Sequence, residues 1–184
     1  MRRACLLEPL SALHHAMRSQ VAFQAGDMSA AADYARRAIV IDPELWVSYM
    51  MRGQACEQLG ETNLALEQLA TAARLSGGNS KPISLSGYLR AKLGDVKDAR
   101  EVLSTLEEVS CHRYVPPYAM ALVHAGLRDE EMLFEWLERA YSVRDVHLMF
   151  LPVDPKWDSY RAEPRFRALL ERCGFTSMGD ASSV

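Results

Sequence analysis

Hydrophobic residues along most of this chain recur at steps of three and four residues, the spacing of one apolar face of an α-helix. The apolar positions between residues 29 and 41 are Ala31, Tyr34, Ala35, Ala38 and Ile41. From Trp46 to Leu75, the pattern predicts two amphipathic helices joined at residues 59–61. The chain is therefore expected to be all-α.

A glycine interrupts the helical pattern at a fixed interval. Gly26, Gly60 and Gly94 are separated by 34 residues each time, and a fourth step lands on Arg128. Small residues keep the same period, at Ser19, Gly53, Gly87 and Ala121 in the first helix and at Ala31, Ala65 and Ala99 in the second. This period predicts a helical solenoid, in which small residues let neighbouring helices approach closely.

The unit resembles the tetratricopeptide repeat (TPR). The matching residues of its best copy are Tyr49, Gly53, Leu59, Gly60, Ala65 and Ala72. The resemblance implies a right-handed solenoid over residues 1–143, with units at about 12–45, 46–79, 80–113 and 114–143. Because the fourth unit has Arg128 for the turn glycine and Leu133 for an alanine, we expect the later helix pairs to pack less regularly.

A different kind of segment follows the repeats. Residues 144–175 contain a short apolar stretch and a last amphipathic helix. A solenoid exposes the apolar side of its final repeat unless something covers it, so we interpret this segment as a C-terminal cap with a capping helix. Residues 1–8 are expected to be frayed, and residues 176–184 are expected to form a disordered tail.

The second half of the chain carries a further resemblance. Residues 115–141 followed by residues 153–175 look like the C-terminal TPR region of bacterial multidomain regulators, where it follows a winged-helix, cyclase or serine/threonine kinase domain. None of those effector domains is present in this sequence. The resemblance implies a sensory or scaffolding attachment but no particular ligand.

Composition narrows the classes of partner. The net charge of -3 is near neutral and gives no electrostatic reason to expect nucleic acid or an anionic membrane as a partner. Either partner would call for a clustered basic face. No apolar run reaches the ~18 residues of a membrane span, and no signal-peptide core is evident, which favours a cytoplasmic protein. Cys5, Cys56, Cys111 and Cys173 lack metal-ligand spacing, so no metal or cofactor is expected, and Cys56 is interpreted as a buried hydrophobe.

The sequence shows no catalytic motif, and we expect no enzyme activity. The charged residues Asp158, Arg161, Glu163 and Arg165 are interpreted as a solvated network at a helix entry, with an active site as the alternative. Trp136 is interpreted as an aromatic residue packed between repeats, with a binding role as the alternative.

The first helices of a TPR solenoid line its concave groove. The residues at the positions that commonly face this groove are Gln20, Phe23, Gln24, Met50, Gln54, Glu57, Gln58, Ser84, Tyr88, Lys92, Tyr118 and Leu122. This polar surface with apolar anchors suits an extended peptide or a helix. The alternative is that these residues are solvated or meet a neighbouring domain of a longer chain.

The sequence is compatible with two functions. The first is an adaptor that binds a protein or peptide in the groove. The second is a non-catalytic regulatory segment of a larger bacterial signalling or transcriptional regulator, contacting its effector domain. The short distance from Met1 to the first helix favours the second and also predicts self-association through an exposed N-terminal repeat.

Overall fold

The computed structural model describes residues 11–175, and this part of the chain is helical without a β-strand. The expected frayed start at residues 1–8 and the expected disordered tail at residues 176–184 lie outside the described residues. The α-helices are α1 (Ala12–Gln24), α2 (Met28–Ile41), α3 (Trp46–Gln58), α4 (Thr62–Leu75), α5 (Ser80–Lys92), α6 (Val96–Ser110), α7 (Pro117–Leu127), α8 (Glu130–Ser142) and α9 (Pro164–Arg172). Two 3-10 helices, Val146–Phe150 and Pro155–Tyr160, lie between α8 and α9.

Local sequence signals set the helix ends. The Asp27 side chain caps α2 by accepting a hydrogen bond from the Ala30 N–H at 2.9 Å, and Asp129 caps α8 in the same way. Pro117 starts α7, where its missing N–H leaves no hydrogen bond unmade. Short connections of this kind make consecutive helices antiparallel neighbours, and α1 to α8 pair in sequence order.

The turns inside the four pairs share one backbone conformation. Gly26, Gly60 and Gly94 have φ angles of 81°, 79° and 90°, and Arg128, one period later, has a φ of 56°. All four residues therefore adopt the left-handed backbone conformation, which a helix C-terminus that ends in a tight turn requires. Glycine adopts this conformation without strain, whereas Arg128 does not.

Small residues lie where the helices of a pair touch. The Ser19 hydroxyl donates to the Ala31 carbonyl at 2.8 Å, so α1 and α2 are in direct contact. A Cβ added to Gly53 would lie 2.8 Å from Leu69 Cγ, so α3 and α4 approach too closely for a side chain. The other small residues that keep the 34-residue period are buried as well.

The step from the third pair to the fourth differs from the earlier ones. Helices α5 and α7 contact each other along their lengths, and a Cβ at Gly126 would lie only 2.6 Å from the Tyr88 carbonyl oxygen. The contact between α6 and α7 is correspondingly slight, and an open groove of about 350 Å³ lies there against Trp136. Trp136 is half-buried, with the Arg139 guanidinium 4.6 Å from its ring centre. This agrees with the expectation of less regular packing in the later pairs.

We expect Arg128→Gly to raise the free energy of unfolding by about 0.5–1 kcal/mol, because relief of left-handed strain outweighs the added entropy of the unfolded chain. The matched variant Gly60→Arg should lower it by about 1 kcal/mol, because it introduces the same strain at the equivalent turn. Urea unfolding of both variants measures the two changes. A less stable Arg128→Gly variant would show that contacts of the arginine side chain, and not the turn conformation, decide stability there.

Candidate binding face

The odd-numbered helices α1, α3, α5 and α7 present one common side of the molecule, which we call the first-helix face. Six of the predicted groove residues from these four helices surround a single cavity: Gln20, Met50, Gln54, Ser84, Tyr118 and Leu122. The structure therefore brings these residues together, as the repeat register predicted. Whether they bind a partner stays a prediction.

The other predicted residues lie beside this cavity. Tyr88 and Lys92 line an adjoining groove, and the Lys92 ammonium forms an ion pair with Glu57 at 2.6 Å. The Gln58 amide donates to the Glu57 carboxylate, and Gln58 is half-buried. Phe23 is buried, and Gln24 is half-buried at the end of α1.

The face is more deeply buried than the sequence predicted. An open, amide-rich surface was expected, but six predicted residues are at most 8% exposed: Phe23, Met50, Ser84, Tyr88, Tyr118 and Leu122. Part of this cover is residues 145–160, which we call the returning segment. It crosses from the fourth helix pair back to α1. The cap was expected to cover only the end of the last repeat, so this segment reaches further than predicted.

The remainder of the expected cap does lie on the last pair. Helix α9 packs against α8, and the Arg172 guanidinium makes two hydrogen bonds to the Glu138 carboxylate at 2.7 and 2.9 Å. Phe166 of α9 is fully buried and stacks on Trp157, with ring centres 6.1 Å apart. The segment predicted as one cap therefore has two parts with different positions.

Asp145 fixes the start of the returning segment. Its carboxylate accepts hydrogen bonds from the Tyr118 N–H at 3.1 Å, the His147 N–H at 3.0 Å and His147 Nδ1 at 2.7 Å. Burial alone would raise the pKa of Asp145, but the hydrogen bonds from His147 and Tyr118 hold that pKa below its usual value. The carboxylate thus joins the segment to the first turn of α7.

Aromatic side chains hold the middle of the returning segment. Trp157 is fully buried, and its Nε1–H donates to the Tyr118 hydroxyl at 2.9 Å. The Tyr160 hydroxyl donates to the Ala125 carbonyl at 3.1 Å. Large aromatic surfaces whose polar atoms also find partners make strong anchors.

Lys156 extends furthest across the face. Its ammonium bonds both Asp154 carboxylate oxygens, at 2.8 and 3.0 Å, and donates to Gln54 Oε1 at 3.1 Å. It also lies 4.8 Å from the centre of the Phe23 ring. One side chain therefore links the segment to α3 and α1.

Neither Lys156 nor Trp157 was predicted from the sequence as part of this face. A signal was nevertheless present in the returning segment, which contains seven large apolar residues within thirteen positions: Leu148, Met149, Phe150, Leu151, Val153, Trp157 and Tyr160. That number exceeds what a simple connection between helices needs.

The charged cluster of Asp158, Arg161, Glu163 and Arg165 begins at the end of the returning segment and makes local structural contacts. Arg161 pairs with Asp158 at 2.7 Å and also donates to the carbonyls of Leu151 and Pro152. The Arg165 guanidinium lies 4.2 Å from the centre of the Phe134 ring. These contacts agree with the interpretation of the cluster as a network at a helix entry.

Residues 11–175 offer neither a metal site nor a membrane span. No group of three or more histidine, cysteine, aspartate or glutamate residues in that range could hold a metal ion. Cys56 is buried, and burial raises the pKa of its thiol to about 11, so it behaves as an unreactive apolar residue. Within the same range, no helix combines the length and hydrophobicity that a bilayer span requires.

No protein-family model matches this chain, and no curated protein matches it.

We expect Asp154→Asn to lower the free energy of unfolding by about 3 kcal/mol, because Lys156 would be left as a buried charge without its counter-ion. Asparagine keeps an oxygen that can accept from the Lys156 backbone N–H, so the loss of stability reports on the missing charge. Asp158→Asn breaks an exposed ion pair and should cost under about 1 kcal/mol. Equal, small losses in urea unfolding would contradict the burial of Lys156.

Proposed function

We propose that this chain is a non-catalytic protein-interaction module, a TPR-type solenoid whose first-helix face binds a segment of polypeptide. One observation carries the proposal: this face already holds such a segment, because residues 145–160 of the same chain lie on it. The first helices contribute side chains such as Gln54 and Tyr118 and backbone groups of Tyr118 and Ala125 to the contact, as a groove that recognises peptides would supply them.

Three features support the assignment to the TPR class. The turn residues recur every 34 positions and share a left-handed backbone. Small residues lie buried at the same period. The two helices of each of the four pairs pack against each other. A right-handed solenoid of four such units accounts for all three features together.

The returning segment indicates what the face recognises. The face offers Lys156 a carboxamide oxygen and an aromatic ring, and it offers the neighbouring Trp157 a hydroxyl acceptor within an apolar site. A partner peptide with a basic residue beside an aromatic residue would meet the same groups. We therefore propose a basic-aromatic peptide or loop as the ligand class.

A partner that binds this way has to exchange with the returning segment. Because the segment is attached to the same chain, its effective concentration at the face is on the order of millimolar. A peptide in solution competes against that concentration. Partner binding should therefore be weak in the wild type and stronger when the segment is loosened.

A fluorescein-labelled peptide of residues 145–160 tests this exchange by fluorescence anisotropy. We expect its Kd to be at least about tenfold lower for Trp157→Ala than for the wild type, because the variant segment competes poorly. The double variant Trp157→Ala with Tyr118→Phe removes the hydroxyl acceptor on the face and should lose part of that gain. Circular dichroism and thermal melting establish that each variant is folded. A folded Trp157→Ala variant that binds no peptide would contradict the proposal.

A second candidate is a regulatory segment of a larger bacterial signalling or transcriptional regulator, contacting its effector domain. The observation in its favour is that the first-helix face is filled by the chain itself. This leaves the second helices of the pairs, α2, α4, α6 and α8, for such a contact. An effector contact of this kind does not need the returning segment to move. Peptide binding that is absent in every folded variant would favour this candidate.

Self-association through the N-terminal repeat is a further proposal. Leu13 and Val21 lie on the same side of α1 and are 54% and 50% exposed. We expect Leu13→Glu with Val21→Glu to abolish any dimer, because the charges cannot be buried between two copies. Sedimentation velocity at several concentrations measures this. A wild-type mass that stays monomeric at all concentrations would contradict the proposal.

A further inference from the structure

A cavity of about 100 Å³ lies between the first-helix face and the returning segment. Its apolar walls include Met50, Met51 and Leu85 from the face and Phe150 from the segment. Water occupies about 30 Å³ per molecule in the liquid, and an apolar cavity of about 150 Å³ can hold benzene. By the same proportion the enclosed space suits about four non-hydrogen atoms, and because the cavity is partly open, a ligand of about six can extend beyond it.

The charges around the cavity are unequally matched. The Lys156 ammonium is satisfied by Asp154 and Gln54. Asp145, the other nearby carboxylate, already accepts three hydrogen bonds from His147 and Tyr118. The two carboxylates beside the cavity, Asp154 and Asp145, are thus engaged with other donors.

Lys81 feels the charge of Asp145 but forms no ion pair with it. It lines the cavity from the first turn of α5 and is half-buried, and among residues 11–175 its ammonium has no hydrogen-bond acceptor and no ion-pair partner. Burial lowers the pKa of Lys81, although the Asp145 charge opposes that effect. An ammonium in this position gains most from an anion that enters the cavity.

Gln54 supplies a second donor. Its Oε1 accepts from Lys156, while within the described part of the chain its Nε2 meets only the Met51 sulfur, at 3.9 Å. That contact is weak, since thioether sulfur is a poor acceptor. The amide N–H groups of Gln54 therefore remain available to a better acceptor.

We infer that this cavity binds a short-chain monocarboxylate of about four carbons. One carboxylate oxygen bonds the Lys81 ammonium, the Gln54 amide donates to the carboxylate, and the alkyl chain lies among Met50, Met51 and Leu85. Flexible, polarizable methionine side chains adapt well to such a chain. A dianion is disfavoured because, among residues 11–175, Lys81 is the one lysine lining the cavity without an ion pair, and the negative charge of Asp145 already acts on it.

The position of the cavity links the ligand to the returning segment. A bound acid would touch both walls and hold the segment on the face, since anything that binds only the closed form stabilises that form. The bound acid should therefore make it harder for a partner peptide to replace the segment, a consequence that rests on the proposed function. Binding of the acid itself does not depend on the proposed function, so it can be measured without a partner.

The test is a titration of the full chain with sodium butyrate, followed by nuclear magnetic resonance of carbon-13-labelled methionine methyl groups. We expect the Met50 and Met51 signals to shift saturably with a Kd on the order of 1 mM, as befits so small a ligand. Met17 and Met132 lie outside the cavity and serve as internal controls. Butyramide has nearly the same size without the charge and should produce no saturable shift.

Two variants complete the design. Lys81→Gln should raise the Kd for butyrate at least about tenfold, because it removes one charged hydrogen bond. Lys97→Gln removes an exposed lysine of α6 and should leave the Kd unchanged. Absence of a saturable shift in the wild type would overturn the inference, and so would equal responses to butyrate and butyramide. Those two results come from the wild type alone, so they decide the matter even if Lys81→Gln fails to fold.

Discussion

The structure depends on how closely the two helices of each pair approach. At Gly53 a single added carbon would collide with Leu69, and at Ser19 the side chain is short enough to donate directly to the α2 backbone. Close packing of this kind leaves few ways to arrange the next pair, because the first helix of every pair carries a small residue at the same position: Ser19, Gly53, Gly87 and Ala121. Repetition of that contact places the first helices of successive units side by side.

Alignment of the first helices creates a surface that the chain itself then covers. Trp157 packs edge-on against Tyr118, with ring centres 5.5 Å apart, and Tyr160 bonds the Ala125 carbonyl of the same helix. The Lys156–Asp154 pair is the unusual part of this contact, because both charges are removed from water. Such a pair adds little net stability, but removal of one partner is costly, so it favours one position of the segment over others.

The helices and their register could be predicted from the sequence because both depend on local signals. The spacing of apolar residues indicated the helix boundaries to within a few residues, and the 34-residue period identified the turns, including Arg128, which lacks the glycine. The same register selected residues that the structure brings together, such as Gln20, Met50 and Tyr118. These predictions needed no knowledge of distant contacts.

The path of the returning segment could not be predicted in this way. Lys156 and Gln54 are 102 residues apart in the chain, and no periodic pattern relates them. The apolar residues of 145–160 indicated that the segment is buried, but many surfaces could have covered it. Lys81 was not predicted for a similar reason, since only the structure shows that it lines the cavity and that, among residues 11–175, its ammonium makes no ion pair.

The contact between Trp157 and Tyr118 provides the most direct test of the central claim, that residues 145–160 lie on the first-helix face. A double-mutant cycle with Trp157→Phe and Tyr118→Phe isolates the hydrogen bond between the two side chains from the effects of each change alone. Urea unfolding of the four proteins should give a coupling free energy of about 1 kcal/mol. A coupling of about zero would mean that the two side chains do not meet and that the segment lies elsewhere.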